Sequence, residues 1–221
     1  MIELKNVSKK YGDKTVYDNF SFNFEKDKIT ALLGESGAGK TTLLNIVAGL
    51  TEYKGEVVKS DAPVSFVFQT DRLAKNLTVE ENLKLVVKNV DVDAALSSVG
   101  LLSAKKLYPK ELSAGMARRV AILRAFLYPS EILLMDEPFI NLDVSLKFSL
   151  MNTVKEMQKK TPKTVLFITH DIREATYLSD RVAVISAGKI IFDEKNVNEK
   201  TEDIIFDLFM KNADGQMSEK A

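Results

Sequence analysis

The chain has 221 residues, hydrophobic residues make up 45% of it, and 31 basic residues balance 31 acidic ones. This length predicts one domain with a sizeable core, and the balanced charge argues against nucleic acid as the main partner. The absence of cysteine excludes disulfides and thiol catalysis and suits a reducing compartment.

The sequence also predicts how the protein relates to membranes. Its first residues lack the apolar segment of a secretory signal, and no run approaches the about 18 apolar residues of a membrane span. We therefore expect a cytoplasmic protein that acts at a membrane only by docking.

The first strands are indicated by alternation. Ile2 and Leu4, and later Phe20, Phe22 and Phe24, alternate with polar residues, which is typical of half-buried antiparallel strands.

The next elements in chain order flank a glycine-rich loop. Ile29–Leu33 is a short apolar run that predicts a strand of a central sheet, and the helix predicted after the loop is Thr41–Gly49. Two further strands are expected at Val57–Val58 and Val64–Phe68.

The segment from 71 to 128 is predicted to be helical. Thr78 with Glu81 three residues later forms a capping-box pattern, and the expected helices are Val79–Lys88, Asp93–Val99 and Ser113–Leu127. Because the segment is too long for an ordinary loop, we interpret it as a helical subdomain inserted into the sheet domain.

Strands and helices alternate again towards the C-terminus. The predicted strands are Ile132–Met135 and Thr164–Thr169, followed by a hairpin of Val182–Ser186 with Lys189–Asp193. The predicted helices are Ser145–Lys160, Ile172–Leu178 and Thr201–Lys211. This alternation predicts an α/β fold with a parallel sheet, a P-loop NTPase core and an antiparallel β subdomain, all in a single domain over 1–221. Residues 212–221 are predicted to form a flexible tail.

The most informative motif is the glycine-rich loop between the third predicted strand and the first helix. It matches G-x-x-x-x-G-K-[ST] and comprises Gly34, Glu35, Ser36, Gly37, Ala38, Gly39, Lys40, Thr41 and Thr42. Backbone N–H groups of such a loop surround phosphate oxygens, and the following helix directs its positive end at the same anion. We expect Lys40 to reach the β- and γ-phosphates of ATP and the Thr41 hydroxyl to bind Mg²⁺. The alternative is an ordinary glycine-rich turn, for which a Lys-Thr pair has no packing purpose.

A second candidate site follows the apolar strand Ile132–Met135. Ligands of open α/β sheets bind at the carboxyl ends of the strands, where Asp136 and Glu137 emerge. Asp136 is predicted to hold Mg²⁺ through water, and Glu137 to accept a proton from the attacking water. A plain polar start of a loop is the alternative.

Two further polar residues follow apolar strands. His170, the single histidine, could contact the γ-phosphate and hold the attacking water, and Gln69 could bind Mg²⁺ or that water. Surface or capping roles are the alternatives, and only the neighbouring phosphate loop favours the functional ones.

Together these motifs resemble the nucleotide-binding subunit of an ABC (ATP-binding cassette) transporter, from Ile2 to about Ile191. The resemblance implies that Tyr11 stacks on adenine, that Gln69 belongs to the Q-loop and that His170 is the switch histidine. It also implies that Ser113, Gly115 and Asp143 approach ATP held by a second copy. The signature Leu112–Met116 departs from the family pattern Leu-Ser-Gly-Gly-Gln at Ala114 and Met116, which bears on the hydrolysis rate.

The resemblance implies partners as well as cofactors. Two cassettes, expected to be copies of one chain in a homodimer, would sandwich two ATP molecules with Mg²⁺. They would move separate membrane-spanning subunits. A solute-binding protein would act with them, the cassette would lie on the inner face of the membrane, and 69–88 would receive the membrane subunits. Tyr108–Ser113 and Arg119–Ile122 resemble small importers of nitrate, sulfonate and thiamine precursors.

Two other classes of cassette remain open at this point. One serves nucleic acid or the ribosome, and neutral charge with a single cassette disfavours it. The other is a weakly hydrolysing regulatory cassette, which the altered signature suggests and the intact Lys40, Asp136, Glu137 and His170 disfavour.

Overall fold

The structure, a computed structural model, describes residues 1–218 and the side chains of residues 1–211. The strands in this part of the chain are β1 Ile2–Tyr11, β2 Lys14–Phe24, β3 Ile29–Leu33, β4 Lys54–Val58, β5 Val64–Val67, β6 Ile132–Asp136, β7 Thr164–Ile168, β8 Arg181–Ser186 and β9 Lys189–Glu194. The α-helices are α1 Lys40–Ala48, α2 Val79–Lys84, α3 Val92–Ser98, α4 Ala114–Leu127, α5 Val144–Lys160, α6 Ile172–Leu178 and α7 Glu199–Ser218.

The central sheet has six strands in the order β5-β6-β7-β3-β8-β9. All neighbours are parallel except the hairpin of β8 and β9. Every residue of β3 and β7 is buried, which explains why these strands read as uninterrupted apolar runs in the sequence. The parallel arrangement brings the carboxyl ends of β3, β6 and β7 to one edge of the sheet, and the α/β fold is confirmed.

A second, antiparallel sheet has the order β2-β1-β4 and packs with α1 on one face of the central sheet. Three register shifts interrupt the pairing of β1 with β2, and the left-handed residues Asn6 and Asn19 (both at φ 50°) lie at the first two. Asparagine tolerates this conformation better than most residues. The bulge at Asn19 reverses the side-chain phase of β2, so that Tyr17 is buried although it is out of step with Phe20 and Phe24.

The helices between β5 and β6 share a core of their own, which includes Val79, Leu83, Leu96, Val120 and Leu123. The predicted capping box is present, because Thr78 and Glu81 exchange side-chain and backbone hydrogen bonds at the start of α2. The assignment of 71–128 as a subdomain stays a prediction.

Two helices end several residues away from the predicted position. Helix α2 ends at Lys84 rather than Lys88. The β-branched residues Val86 and Val87, which have a weaker helix propensity, follow shortly after Lys84. Helix α7 continues through Ser218 instead of ending at Lys211. Residues 212–218 of the predicted tail belong to α7, residues 219–221 lie outside the described residues, and the flexibility of the tail stays a prediction.

Candidate functional site

The loop Gly34–Thr42 joins β3 to α1 and depends on glycine at two close approaches. Gly34 has φ 152°, and a Cβ there would overlap the carbonyl oxygen of Ile185. Gly39 has φ 106°, and its Cβ would lie 2.8 Å from Tyr17 Oη. Both positions therefore need a residue without a side chain.

Tyr17 supports the loop Gly34–Thr42 through a hydrogen bond. Its buried hydroxyl donates a hydrogen bond of 3.0 Å to the Gly39 carbonyl, and burial raises the pKa of Tyr17, so the hydroxyl keeps its proton. Sequence reasoning missed this residue, because the bulge at Asn19 places it against the alternation.

Lys40 is folded onto its own loop. Its Nζ donates to the carbonyls of Gly34 at 2.7 Å and Glu35 at 2.9 Å. Burial lowers the pKa of Lys40, while the carboxylates of Glu137, Asp136 and Glu35 oppose that shift. The ammonium thus stands among three negative groups, at a place where a bound polyphosphate would add more negative charge.

Thr41 and Asp136 supply two oxygen ligands next to each other. Thr41 Oγ1 donates to Asp136 Oδ1 over 3.3 Å. Burial raises the pKa of Asp136, and the hydrogen bond from Thr41 counteracts it. Mg²⁺ prefers such hard oxygen ligands and is commonly held by one or two protein groups together with substrate phosphates. The pair fits that chemistry.

Glu137 follows β6 with φ 47° in the left-handed region, which is uncommon for a residue with a side chain. Its N–H donates to the Ile168 carbonyl at 3.1 Å, which fixes the turn against the end of β7. Its Oε1 lies 3.6 Å from Nδ1 of His170, whose side chain is 66% exposed. Strained backbone of this kind concentrates at functional sites.

Tyr11 and the phosphate loop line one cleft. The cleft has a volume of about 270 Å³, and its walls include Tyr11, Lys40, Thr41 and Glu137. The Tyr11 ring is 50% exposed at the end of β1, with Lys9 Nζ 4.5 Å from its centroid. The structure therefore brings the predicted base-stacking residue, phosphate loop and general base to one place.

Gln69 does not line that cleft, although it follows β5 directly beside β6. Its side chain is exposed and its backbone is held from α4: Arg118 donates to the Phe68 carbonyl at 2.7 Å and to the Gln69 carbonyl. Arg118 also pairs with Asp71 at 3.1 Å. Sequence reasoning missed Arg118, which nothing in the local pattern distinguishes from other helix residues.

The signature and D-loop residues lie apart from the cleft. Ser113 is the N-cap of α4 and accepts a hydrogen bond from the Met116 N–H at 3.2 Å, and Ala114 beside it is exposed. Gly115 is buried, and a Cβ there would overlap the Leu146 side chain. Asp143 is exposed and caps α5 through the Leu146 N–H at 2.9 Å.

Comparison with known proteins identifies this arrangement. Residues 17–140 match the ABC transporter family. The chain belongs to this family. The cassette accordingly binds ATP with Mg²⁺ and hydrolyses it to drive transport.

Individual relatives agree with the family. The cassette is 37% identical over 199 residues to an aliphatic sulfonates import ATP-binding protein of Rhodococcus jostii, covering 87% of this chain and 82% of that protein. It is 33% identical over 209 residues to an Fe³⁺ ions import ATP-binding protein of Fusobacterium nucleatum, covering 86% of this chain and 56% of that protein. A dimeric cassette in a post-hydrolysis state with ADP and phosphate superimposes with a TM-score of 0.76 at 29% identity, covering 88% of this chain and 98% of that one.

Proposed function

We propose that this cassette powers an importer, as a pair of identical copies on the inner face of a membrane. The observation that carries the proposal is the division of the site into two surfaces of one chain. Tyr11, Lys40 and Glu137 share one cleft, whereas Ser113 and Asp143 lie outside it. A second copy of the chain would bring the second surface to the first.

We assign one role to each residue in and beside the cleft. The N–H groups of Gly34–Thr42 and the Lys40 ammonium bind the phosphates of ATP, and Tyr11 stacks on the base. Thr41 and Asp136 would hold Mg²⁺, with Gln69 reaching it from the end of the neighbouring strand, and the ion would supply positive charge beside the phosphates.

Hydrolysis then needs a proton acceptor and a positioned water. Glu137 accepts the proton of the attacking water, and His170, 3.6 Å from Glu137, orients that water and contacts the γ-phosphate. Ser113, Gly115 and Asp143 of the second copy complete the site, because the N-terminal end of α4 favours an anion. Hydrolysis removes the bridging γ-phosphate, which opens the pair again.

The membrane-spanning part belongs to other proteins in this proposal. None of the helices in residues 1–218 is long and apolar enough to cross a membrane. Relatives of similar identity are named for aliphatic sulfonates and for Fe³⁺, so we assign solute choice to the membrane subunits and a solute-binding protein. A sulfonate is the first solute class to test.

The test is purification of the tagged chain from detergent-solubilised membranes of its own cells, with Lys40→Ala as the matched variant. Multi-span membrane proteins should accompany the parent and should raise its ATPase rate. After reconstitution into vesicles, uptake of solute should require ATP on the cassette side. Co-purification of ribosomal proteins, or vesicles that export solute, would overturn the importer proposal.

A further inference from the structure

A partly buried charge cluster joins the start of α5 to the segment that carries His170. Lys147 lies in the first turn of α5, one turn after the N-cap Asp143. Its Nζ is 3.1 Å from Asp171 Oδ2 and 2.5 Å from Glu174 Oε1. The Glu174 side chain is 6% exposed, so this contact compensates a carboxylate that water reaches poorly.

The two carboxylates hold the backbone on both sides of His170. Thr169 Oγ1 donates to Glu174 and accepts the Asp171 N–H at 3.1 Å. Asp171 Oδ1 in turn accepts the N–H groups of Arg173 at 2.9 Å and Glu174 at 3.3 Å. His170 itself is exposed, so its direction depends on these neighbours.

Lys147 supplies the positive charge for this cluster. Among the residues the structure describes, it is the one cation within 4 Å of either carboxylate. Burial would raise the pKa of Asp171, but the hydrogen bonds from Lys147 and from the start of α6 hold it below its usual value. Asp171 therefore stays charged, and both acids are bound to α5 through Lys147.

The same turn of α5 also touches the signature helix. Leu146, next to Lys147, packs so closely on α4 that a Cβ at Gly115 would overlap it. A displacement of Asp143 or of α4 would thus be passed to the His170 segment through α5.

We propose that Lys147 is a positioning residue that directs His170 towards Glu137 and couples that direction to the first turn of α5. This inference rests on the proposed role of His170 as the residue that orients the attacking water. Lys147 itself does not line the nucleotide cleft.

The test compares ATPase kinetics of the parent, Lys147→Gln, Lys147→Arg, His170→Ala and the double variant Lys147→Gln/His170→Ala. Lys147→Gln should lower kcat at least about tenfold, since small misplacements of catalytic groups cost up to about a hundredfold, and should leave the KM for ATP within about twofold. Lys147→Arg, which keeps the charge, should restore most of kcat. In the His170→Ala background, Lys147→Gln should cost nothing further.

Thr169→Val serves as a second variant, because it breaks the link to Glu174 and leaves the ion pair with Lys147 intact. It should lower kcat with unchanged KM. A parental kcat in Lys147→Gln or Thr169→Val would overturn the proposal, as would an equal loss from Lys147→Gln with and without His170. If His170→Ala keeps the parental kcat, the role proposed for His170 fails instead, and the two failures are distinguishable.

Discussion

The substitution Glu137→Gln tests the assignment of the general base. It preserves the shape of a side chain whose carboxylate lies 3.6 Å from His170 and lines the cleft with Lys40 and Thr41. It removes only the proton acceptor and one negative charge. Loss of a general base costs about 10²- to 10⁴-fold in rate, equivalent to about 3 to 5 kcal/mol of transition-state stabilisation.

Binding of ATP should respond in the opposite sense. The Glu137 carboxylate lines the same cleft as Lys40, so it stands close to the place assigned to the phosphates. Removing its charge reduces repulsion of ATP, and we expect the Kd to stay equal or to fall. The pair of cassettes should then close on ATP and remain closed, because hydrolysis reopens it.

The assays are phosphate release at saturating ATP, calorimetric titration with ATP, and light scattering after size-exclusion chromatography. Glu35→Gln is the matched control, since it makes the same chemical change on an exposed acid of the same loop and should keep most of the rate. Parental turnover in Glu137→Gln would refute the assignment and make His170 the next candidate. If the variant is inactive but stays monomeric with ATP, Glu137 remains the assigned base. The weak dimer would then be attributed to Ala114 or to a missing membrane partner.

Four further substitutions test separate parts of the site. Lys40→Ala removes two charge-assisted hydrogen bonds to phosphate, each worth about 1.5–3 kcal/mol, and should weaken ATP binding by about 10²- to 10⁴-fold; an unchanged Kd in calorimetry would remove Lys40 from the site. Tyr11→Ala should weaken ATP binding by about 1–3 kcal/mol of lost stacking and leave the affinity for inorganic triphosphate alone, whereas equal losses for both ligands would contradict stacking. Tyr17→Phe leaves the Gly39 carbonyl without its donor and should lower the free energy of unfolding by about 0.5–1.5 kcal/mol. An unchanged Tm in a thermal melt would show that this hydrogen bond does not stabilise the protein. Ala114→Gly removes an exposed Cβ at the start of α4 and should raise kcat, and a slower variant would show that this methyl group does not obstruct the approach of ATP.

The middle of the central sheet was predictable because β3, β6 and β7 are buried on both faces. Ile29–Leu33 coincides with β3, and Ile132–Met135 falls one residue short of β6. A parallel sheet places the carboxyl ends of such strands at one edge, so the motif residues that follow them could be grouped before any coordinates. That Glu137 lies near His170 and that Thr41 bonds to Asp136 agree with this grouping.

The sequence did not reveal the residues that support the site residues through contacts outside the cleft. Tyr17 is out of phase with its strand because a bulge, which has no sequence signature stronger than one asparagine, reverses the side-chain direction. Arg118 contacts a loop about 50 residues away, and Lys147 contacts acids more than 20 residues away. Such contacts depend on how helices pack on the sheet, and helical periodicity alone does not fix the partner of a charged side chain.

The most direct test of the central claim is the ATPase rate per chain measured across a dilution series, with the molar mass followed by light scattering. If a second copy completes each ATP site, the rate per chain should rise with concentration and level off as dimers saturate. Lys40→Ala should stay inactive throughout the series. A rate per chain that is constant over the whole range, from a protein that remains monomeric with ATP, would contradict the account.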